Sequence, residues 1–269
     1  MNENYRTFFG LQKEPFSSDL STKEILETPD LLAVKERFDY AVRLGAIALV
    51  TGEIGSGKST ALRFASEQLH PSEYKTLYLT SSSGSILELY RLLLNEMGID
   101  KSSSSRAIMV KLIKKEIIEV VQDKKMKVVL IIDEASLLRL GVFAELHTLG
   151  QFHKDSKPWL PIILAGQNNL ADKLMFRDCQ PLASRIVARS HLEGVDREGM
   201  EKYLLHHLKI AGINNSLFDS SAITGIYQGS GGLLRKANHL ARGALIAAAN
   251  SQSIAVNAEH VRVAQTEIF

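Results

Sequence analysis

The 269-residue chain has a single cysteine, Cys179, so no internal disulfide can form. One reduced thiol suits a reducing compartment. No apolar run approaches the roughly twenty residues that a membrane-crossing helix needs. The opening Met1-Asn2-Glu3-Asn4-Tyr5-Arg6 has no apolar stretch like that of a secretory signal. These absences give the expectation of a cytoplasmic protein with no membrane contact. A dominant charge is missing too: 32 Lys and Arg against 30 Asp and Glu leave +2. That balance permits nucleic-acid binding without arguing for it, because local patches matter more than totals. A hydrophobic fraction of 45% and a charged fraction of 23% are those of an ordinary globular chain. The length allows one large domain, or a medium one with a small one.

What is present centres on Gly52-Glu53-Ile54-Gly55-Ser56-Gly57-Lys58-Ser59, preceded by the apolar run Ala46-Ile47-Ala48-Leu49-Val50. The spacing fits G-x-x-x-x-G-K-[ST], a phosphate-binding loop between a strand and a helix. Gly52, Gly55 and Gly57 allow backbone N–H groups around Ser56 to converge on phosphate oxygens. Lys58 would reach the terminal phosphates, and Ser59, followed by Thr60, opens a helix whose dipole favours the same anion. The Ser59 hydroxyl is the expected Mg²⁺ ligand. The competing reading is a plain glycine-rich turn; the strand before it and the apolar helix Ala61–Ala65 after it argue for nucleotide binding.

Further along, Lys75–Thr80 reads as a strand ending in Ser81-Ser82-Ser83. Ile86–Met97 and Arg106–Gln122 read as helices, the second with Val110, Ile113, Ile117 and Val121 on one face, after a polar loop from Ser102 to Ser105. Lys111, Lys114 and Lys115, with Lys124, Lys125 and Lys127, form either a DNA-contacting patch or a solvated face laced by pairs such as Lys115–Glu119. Val128–Ile132 and Leu160–Gly166 are continuous apolar runs of the kind found in strands buried on both faces. Strands alternating with helices predict an α/β domain with a parallel sheet. From about Glu193 only helices are expected: Met200–Ile210, Ser221–Tyr227, Leu233–Asn250 and Ala258–Thr266. The predicted division is therefore 1–45, an N-terminal segment packing on the core; 46–192, the nucleotide-binding domain; and 193–269, a small all-α domain. The aromatic cluster Phe8, Phe9, Leu11, Pro15 and Phe16 either packs against the domain or walls the nucleotide pocket.

Asp133-Glu134 ends the first buried strand, where open α/β sheets place ligands. Asp133 fits the holding of Mg²⁺ and Glu134 a base that polarises water. Gln167 ends the second such strand, where an amide would orient water or meet the γ-phosphate. Asn168 and Asn169 compete with it as turn or capping residues. Arg185 and Arg189 carry the planar charge that suits a transferring phosphoryl group, although surface arginines are commoner. Arg235, after Gly231-Gly232, is equally open on spacing alone.

Together these motifs resemble the AAA+ ATPases, and more narrowly the group that includes general secretion pathway protein A (ExeA-type) and the transposon helper ATPases (TniB-type). The segments that carry the resemblance are Tyr5–Leu11 with Glu14-Pro15-Phe16, Ile132-Asp133-Glu134-Ala135 as Walker B, and Ile163–Gln167 as sensor 1. Leu182-Ala183-Ser184-Arg185-Ile186 resembles the arginine-finger segment, and Gly231–Asn238 resembles sensor 2, with Leu234 where the family commonly has proline. The resemblance implies a P-loop NTPase fold with a five-stranded parallel sheet and a helical lid. It implies ATP and Mg²⁺ as cofactors, and catalytic roles for Glu134, Gln167 and Arg185. It also implies self-assembly into a ring or helical filament, in which Arg185 reaches a neighbour's nucleotide and Arg235 contacts nucleotide from the lid. For the transposon helpers it implies assembly on duplex DNA and action with a transposase; the alternative is a secretion-apparatus or other partner-remodelling ATPase with no DNA role.

Overall fold

The computed structural model describes residues 4–82, 84–100 and 103–266. Ser83 and Ser102, from the serine-rich stretches, lie outside the described residues. Contacts divide the chain into two compact units. One comprises 29–52 and 58–192; the other comprises 1–28, 53–57 and 193–269.

The first unit is built on five parallel strands: β1 (Ile47–Gly52), β2 (Tyr74–Thr80), β3 (Lys127–Asp133), β4 (Ile162–Gly166) and β5 (Ile186–Leu192). Their order across the sheet is β2-β3-β4-β1-β5. Numbering the helices along the whole chain, α1 is Asn4–Phe9 and α2 is Pro29–Leu44. The helices α3 (Lys58–Glu67), α4 (Ile86–Glu96), α5 (Arg106–Gln122), α6 (Leu140–Leu149), α7 (Asn169–Met175) and α8 (Gln180–Ala183) follow. All except α1 belong to the sheet unit.

Burial explains the strand signals. In β3 every residue after Lys127 is buried, so β-branched and leucine side chains fill both faces. In β5, an edge strand, Ala188, Ser190 and Leu192 are buried while Val187, Arg189 and His191 are exposed. That mixed edge has no continuous apolar run, and its sequence does not announce a strand. The α5 core face is Met109, Ile113, Ile117 and Val120. The expected Val110 and Val121 are only partly buried beside it, a rotation of the face by one residue at each end. Ser85 caps α4 by accepting from the Glu88 N–H at 3.4 Å. Gly45, which joins α2 to β1, has φ +65, and a Cβ there would lie 2.0 Å from the Pro158 carbonyl oxygen. Only glycine fits that position.

The second unit contains α9 (Arg197–Ile210), α10 (Ser220–Ser230), α11 (Leu234–Asn250) and α12 (Ala258–Thr266). Its core is rich in small residues: Ala237, Ala241, Ala244 and Ala248 line the inner face of α11. Tyr5, Leu11 and Phe16 are part of this same core. Phe16 is 1% exposed, stacks on His207 at 5.3 Å and meets Phe218 edge-on at 6.0 Å. Arg242 donates to the Phe16 carbonyl at 2.9 Å and pairs with Glu14 at 3.0 Å. The expected N-terminal segment 1–45 is therefore divided in the structure. Residues 4–28 belong to the unit of the C-terminal helices, and α2 belongs to the sheet unit. The physical reason is volume: an alanine-lined helix face leaves room that the N-terminal aromatics fill.

His207 gives this unit a pH dependence. Burial, and secondarily the neighbouring His206, hold its imidazole down to about 4, against about 6.5 in an unfolded chain. Between those values the unfolded chain binds a proton that the folded one does not. Stability therefore falls as pH drops from 6.5 toward 4, by about 3 kcal/mol over the window. Urea unfolding followed across this pH range should show that loss, and His207→Leu should flatten it.

Candidate functional site

In a parallel sheet all strands end on one edge, and ligands gather there. The register aligns Thr51 with Gly166, and Thr80 with Asp133. Gly52, Asp133 and Gln167 thus end or follow three adjacent strands on the same edge of the sheet unit. Lys58, the first residue of α3, is 5% exposed, and its Nζ donates to the Gly52 carbonyl at 3.0 Å. Ser59 and Thr60 follow in the first turn with exposed side chains.

Asp133 is 4% exposed, yet both its oxygens accept hydrogen bonds. Oδ1 takes the Glu134 N–H at 2.8 Å, and Oδ2 takes the Tyr78 hydroxyl at 3.0 Å. Burial, then the Asp133 carboxylate, push the Tyr78 phenol well above its ordinary range, so it remains a donor. Glu134 is half-buried and left-handed, with φ +54 and ψ +30. For a residue other than glycine this conformation carries strain and asks for restraint. The restraint is visible: the Glu134 carbonyl accepts from Ser81 Oγ at 2.6 Å, and the Ser81 N–H donates to the Asp133 carbonyl at 2.9 Å. Lys173 then donates to the carbonyls of Ser136 at 2.5 Å and Leu138 at 2.9 Å. Gly166 completes the packing, since a Cβ there would come within 2.8 Å of the Ser136 nitrogen.

Gln167 is half-buried at the end of β4, while Asn168 and Asn169 belong to the start of α7. Asn168 precedes the helix without a side-chain capping bond among the described residues, and Asn169 is its first residue. Arg185 is at the other edge of the sheet. The Ile47 N–H donates to its carbonyl at 3.2 Å, and Ile47 aligns with Ile186. Arg185 is thus beside the first residue of β1 and Gly52 is the last, about 17 Å away at roughly 3.3 Å per residue. Its guanidinium pairs with Asp155, on a turn where His153, Lys154 and Asp155 are all left-handed. Both line a cavity of about 380 Å³ with Leu44, His147 and Leu182. Burial, then Arg185, hold the His147 imidazole below its usual range, and the Arg185 hydrogen bond lowers the Asp155 carboxyl. Arg189 is exposed in mid-β5, opposite Leu49.

Arg235 lies in the helical unit, together with 53–57 of the phosphate-loop motif. Its N–H donates to the Gly55 carbonyl at 3.2 Å. Gly55 has φ +85, and a Cβ on it would meet the Arg235 Cβ at 2.8 Å. Glycine is required there twice over, by backbone conformation and by approach. In the same segment the Ser56 Oγ is buried with no hydrogen-bond partner among the described residues, and its hydroxyl fits donation to a phosphate oxygen.

The lysine patch is partly committed, through Lys114 and Lys124. Lys114 donates to the carbonyls of Thr148 at 3.0 Å and Gln151 at 2.9 Å. Lys75 and Lys124 pair with Glu116, and Lys124 also with Glu119, in place of the expected Lys115–Glu119 pair. Lys111 and Lys115 remain exposed. Among the described residues no group of three or more His, Cys, Asp or Glu is arranged to hold a metal. The buried Asp133 carboxylate and the Ser59 hydroxyl fit Mg²⁺ of the kind bound by one carboxylate together with substrate phosphates and water. Sequence reasoning missed Tyr78, Ser81 and Lys173, which act on their neighbours' backbone and carboxyl atoms and belong to no spaced motif.

Among the described residues no helix is long and apolar enough to cross a membrane. Residues 42–174 match the AAA domain family. General secretion pathway protein A of Aeromonas hydrophila is 32% identical over 254 residues, covering 91% of this chain. The chain spans 45% of that relative's length. The fold is similar to Cdc6p from Pyrobaculum aerophilum, with TM-score 0.75 at 15% identity, over 94% of this chain and 70% of that one. It is also similar to the Aeropyrum pernix ORC1 protein solved in complex with DNA, with TM-score 0.68 at 15% identity, over 94% and 68% of the two chains. At those identities the likeness shows a shared fold. The order β2-β3-β4-β1-β5 and the helical C-terminal region are the P-loop NTPase architecture expected from the motifs.

Gly166→Ala tests the packing under the acidic pair. The added methyl should destabilise the protein by about 1–3 kcal/mol, seen as a lower midpoint in thermal unfolding. An unchanged midpoint would mean that the turn at Ser136 yields without cost.

Proposed function

We propose that this chain, whose residues 42–174 match the AAA domain family, is an enzyme that binds and hydrolyses ATP at a site completed by a second copy of itself. The observation that carries this reading is the convergence of Lys58, Asp133, Glu134 and Gln167 at one edge of a single parallel sheet. Backbone N–H groups of Gly55, Ser56, Gly57 and Lys58 would cradle the phosphates, with Gly52 opening the loop. Lys58 Nζ, now on the Gly52 carbonyl, is the cation for the terminal phosphates. Ser59 and Asp133 would hold Mg²⁺, which when bound neutralises charge on the phosphate oxygens; Thr60 adds a hydroxyl in the same turn. Glu134 takes a proton from the attacking water, and Gln167 orients that water. Arg235, whose N–H bonds the Gly55 carbonyl, would contact nucleotide beside the phosphate loop.

The position of Arg185 supports completion in trans. Its backbone is a strand's length from the end of β1, so a neighbouring subunit's phosphate is a more natural target than its own. The fitting assemblies are a ring or a helical filament. For the wider role, we favour an ATPase that assembles on duplex DNA as a transposition helper and acts with a transposase, a role implied by the resemblance of its sequence motifs to those of the transposon helper group. The 32% identity to general secretion pathway protein A favours a second reading, a secretion-linked ATPase that works on a protein partner without DNA.

Glu134→Gln should cut turnover by about 10²–10⁴-fold while nucleotide binding persists; undiminished turnover would remove Glu134 from catalysis. Mixing Arg185→Ala with Lys58→Ala subunits should restore part of the activity that each lacks alone. No recovery would count against action in trans. Binding to random duplex DNA should need ATP and weaken steeply with salt. No binding at low salt would leave the secretion-linked reading in place.

A further inference from the structure

The contact that stands outside the proposed catalytic set is the one between Tyr78 and Asp133. β2 and β3 run parallel in register, with Tyr78 aligned to Ile131 and Thr80 to Asp133. Tyr78 is half-buried, and its neighbours Leu77 and Leu79 are 1% and 5% exposed. The flanking leucines anchor the strand on its other face and leave the phenol directed along β3. Its hydroxyl ends 3.0 Å from Asp133 Oδ2.

A carboxylate accepts only, so the hydrogen of this bond belongs to Tyr78. The other carboxylate oxygen, Oδ1, is taken by the Glu134 N–H at 2.8 Å. Two donors on two oxygens fix both the torsion and the plane of the group. Each oxygen keeps a further lone pair for a metal ion or its water. The Glu134 N–H comes from the adjoining peptide in a left-handed turn; alone it would leave the carboxylate plane free to swing about Oδ1. The second restraint comes from the neighbouring strand, where Tyr78 supplies it.

We propose that Tyr78 is a positioning residue for Mg²⁺–nucleotide: its hydroxyl sets the Asp133 carboxylate in the orientation that the metal requires. This rests on the reading of Asp133 as the carboxylate that holds Mg²⁺. Partners that orient a metal-binding group typically change metal affinity by 10–100-fold when removed. Tyr78→Phe keeps the ring and its packing and deletes only the donor.

The experiment uses the full chain and equilibrium binding of a fluorescent ATP analogue, titrated with and without Mg²⁺, with no turnover in the readout. In the unmodified protein Mg²⁺ should tighten binding. Tyr78→Phe should leave binding in EDTA unchanged and raise the half-saturating Mg²⁺ concentration about tenfold. Thermal unfolding without nucleotide should stay close to that of the unmodified protein. Asp133→Ala serves as the reference and should abolish the Mg²⁺-dependent gain. If Asp133→Ala does so and Tyr78→Phe shifts nothing, the role of Tyr78 is wrong and that of Asp133 stands. If Asp133→Ala leaves the gain intact, both fall. Equal weakening with and without Mg²⁺ in Tyr78→Phe would make the hydroxyl a general structural contact and overturn the proposal.

Discussion

The parallel pairing of β3 between β2 and β4 is the constraint on which the rest of the sheet unit depends. A strand buried on both faces must be apolar until it leaves the sheet, and β3 meets that condition from Val128 to Ile132. Its first acidic group therefore appears where the strand ends, at Asp133. Parallel neighbours place the ends of β1 and β4 at the same level, so Gly52 and Gln167 arrive beside it without any local signal directing them there. Convergence of the polar groups is a by-product of satisfying an apolar core.

Leaving the sheet at Asp133 has a local cost. Glu134 adopts a left-handed backbone that a β-carbon disfavours, and a ring of hydrogen bonds holds it there. Ser81 grips its carbonyl, Asp133 takes its N–H, and Lys173 holds the carbonyls of Ser136 and Leu138. Gly166 contributes by having no side chain. Strain concentrated at a carboxylate and over-determined by neighbours is the pattern of a functional position. The opposite edge has a counterpart in the turn at 153–155, which presents Asp155 to Arg185.

The helical unit follows a different logic. Alanines on α11 permit close packing with α12, and the remaining volume goes to aromatic residues from the start of the chain. A buried histidine stacked on Phe16 comes with this arrangement, along with the depressed basicity that burial imposes. Gly55 and Arg235 approach each other in this unit only because Gly55 has no β-carbon and tolerates a positive φ.

Much of this was legible in the residues themselves. The glycine spacing ahead of Lys58 and the apolar runs ending at Asp133 and Gln167 each report a purely local requirement: backbone freedom at a phosphate loop, and burial on both faces of a central strand. The bounds of α5 and α12 were legible for the same reason, since periodicity is a local property. The edge strand β5 was not, because alternation between Arg189, His191 and buried small residues resembles many surface segments. Nor was the destination of Phe16, because an aromatic residue records that it wants burial and not where. Tyr78, Ser81 and Lys173 were invisible for a stronger reason: their partners lie 35 to 55 positions away in the chain. The sequence by itself determined that a phosphate loop and an acidic pair would each end a strand. Only the tertiary structure decided which neighbours hold that pair in place, because hydrogen bonds between strands depend on register, and register is a property of the folded sheet.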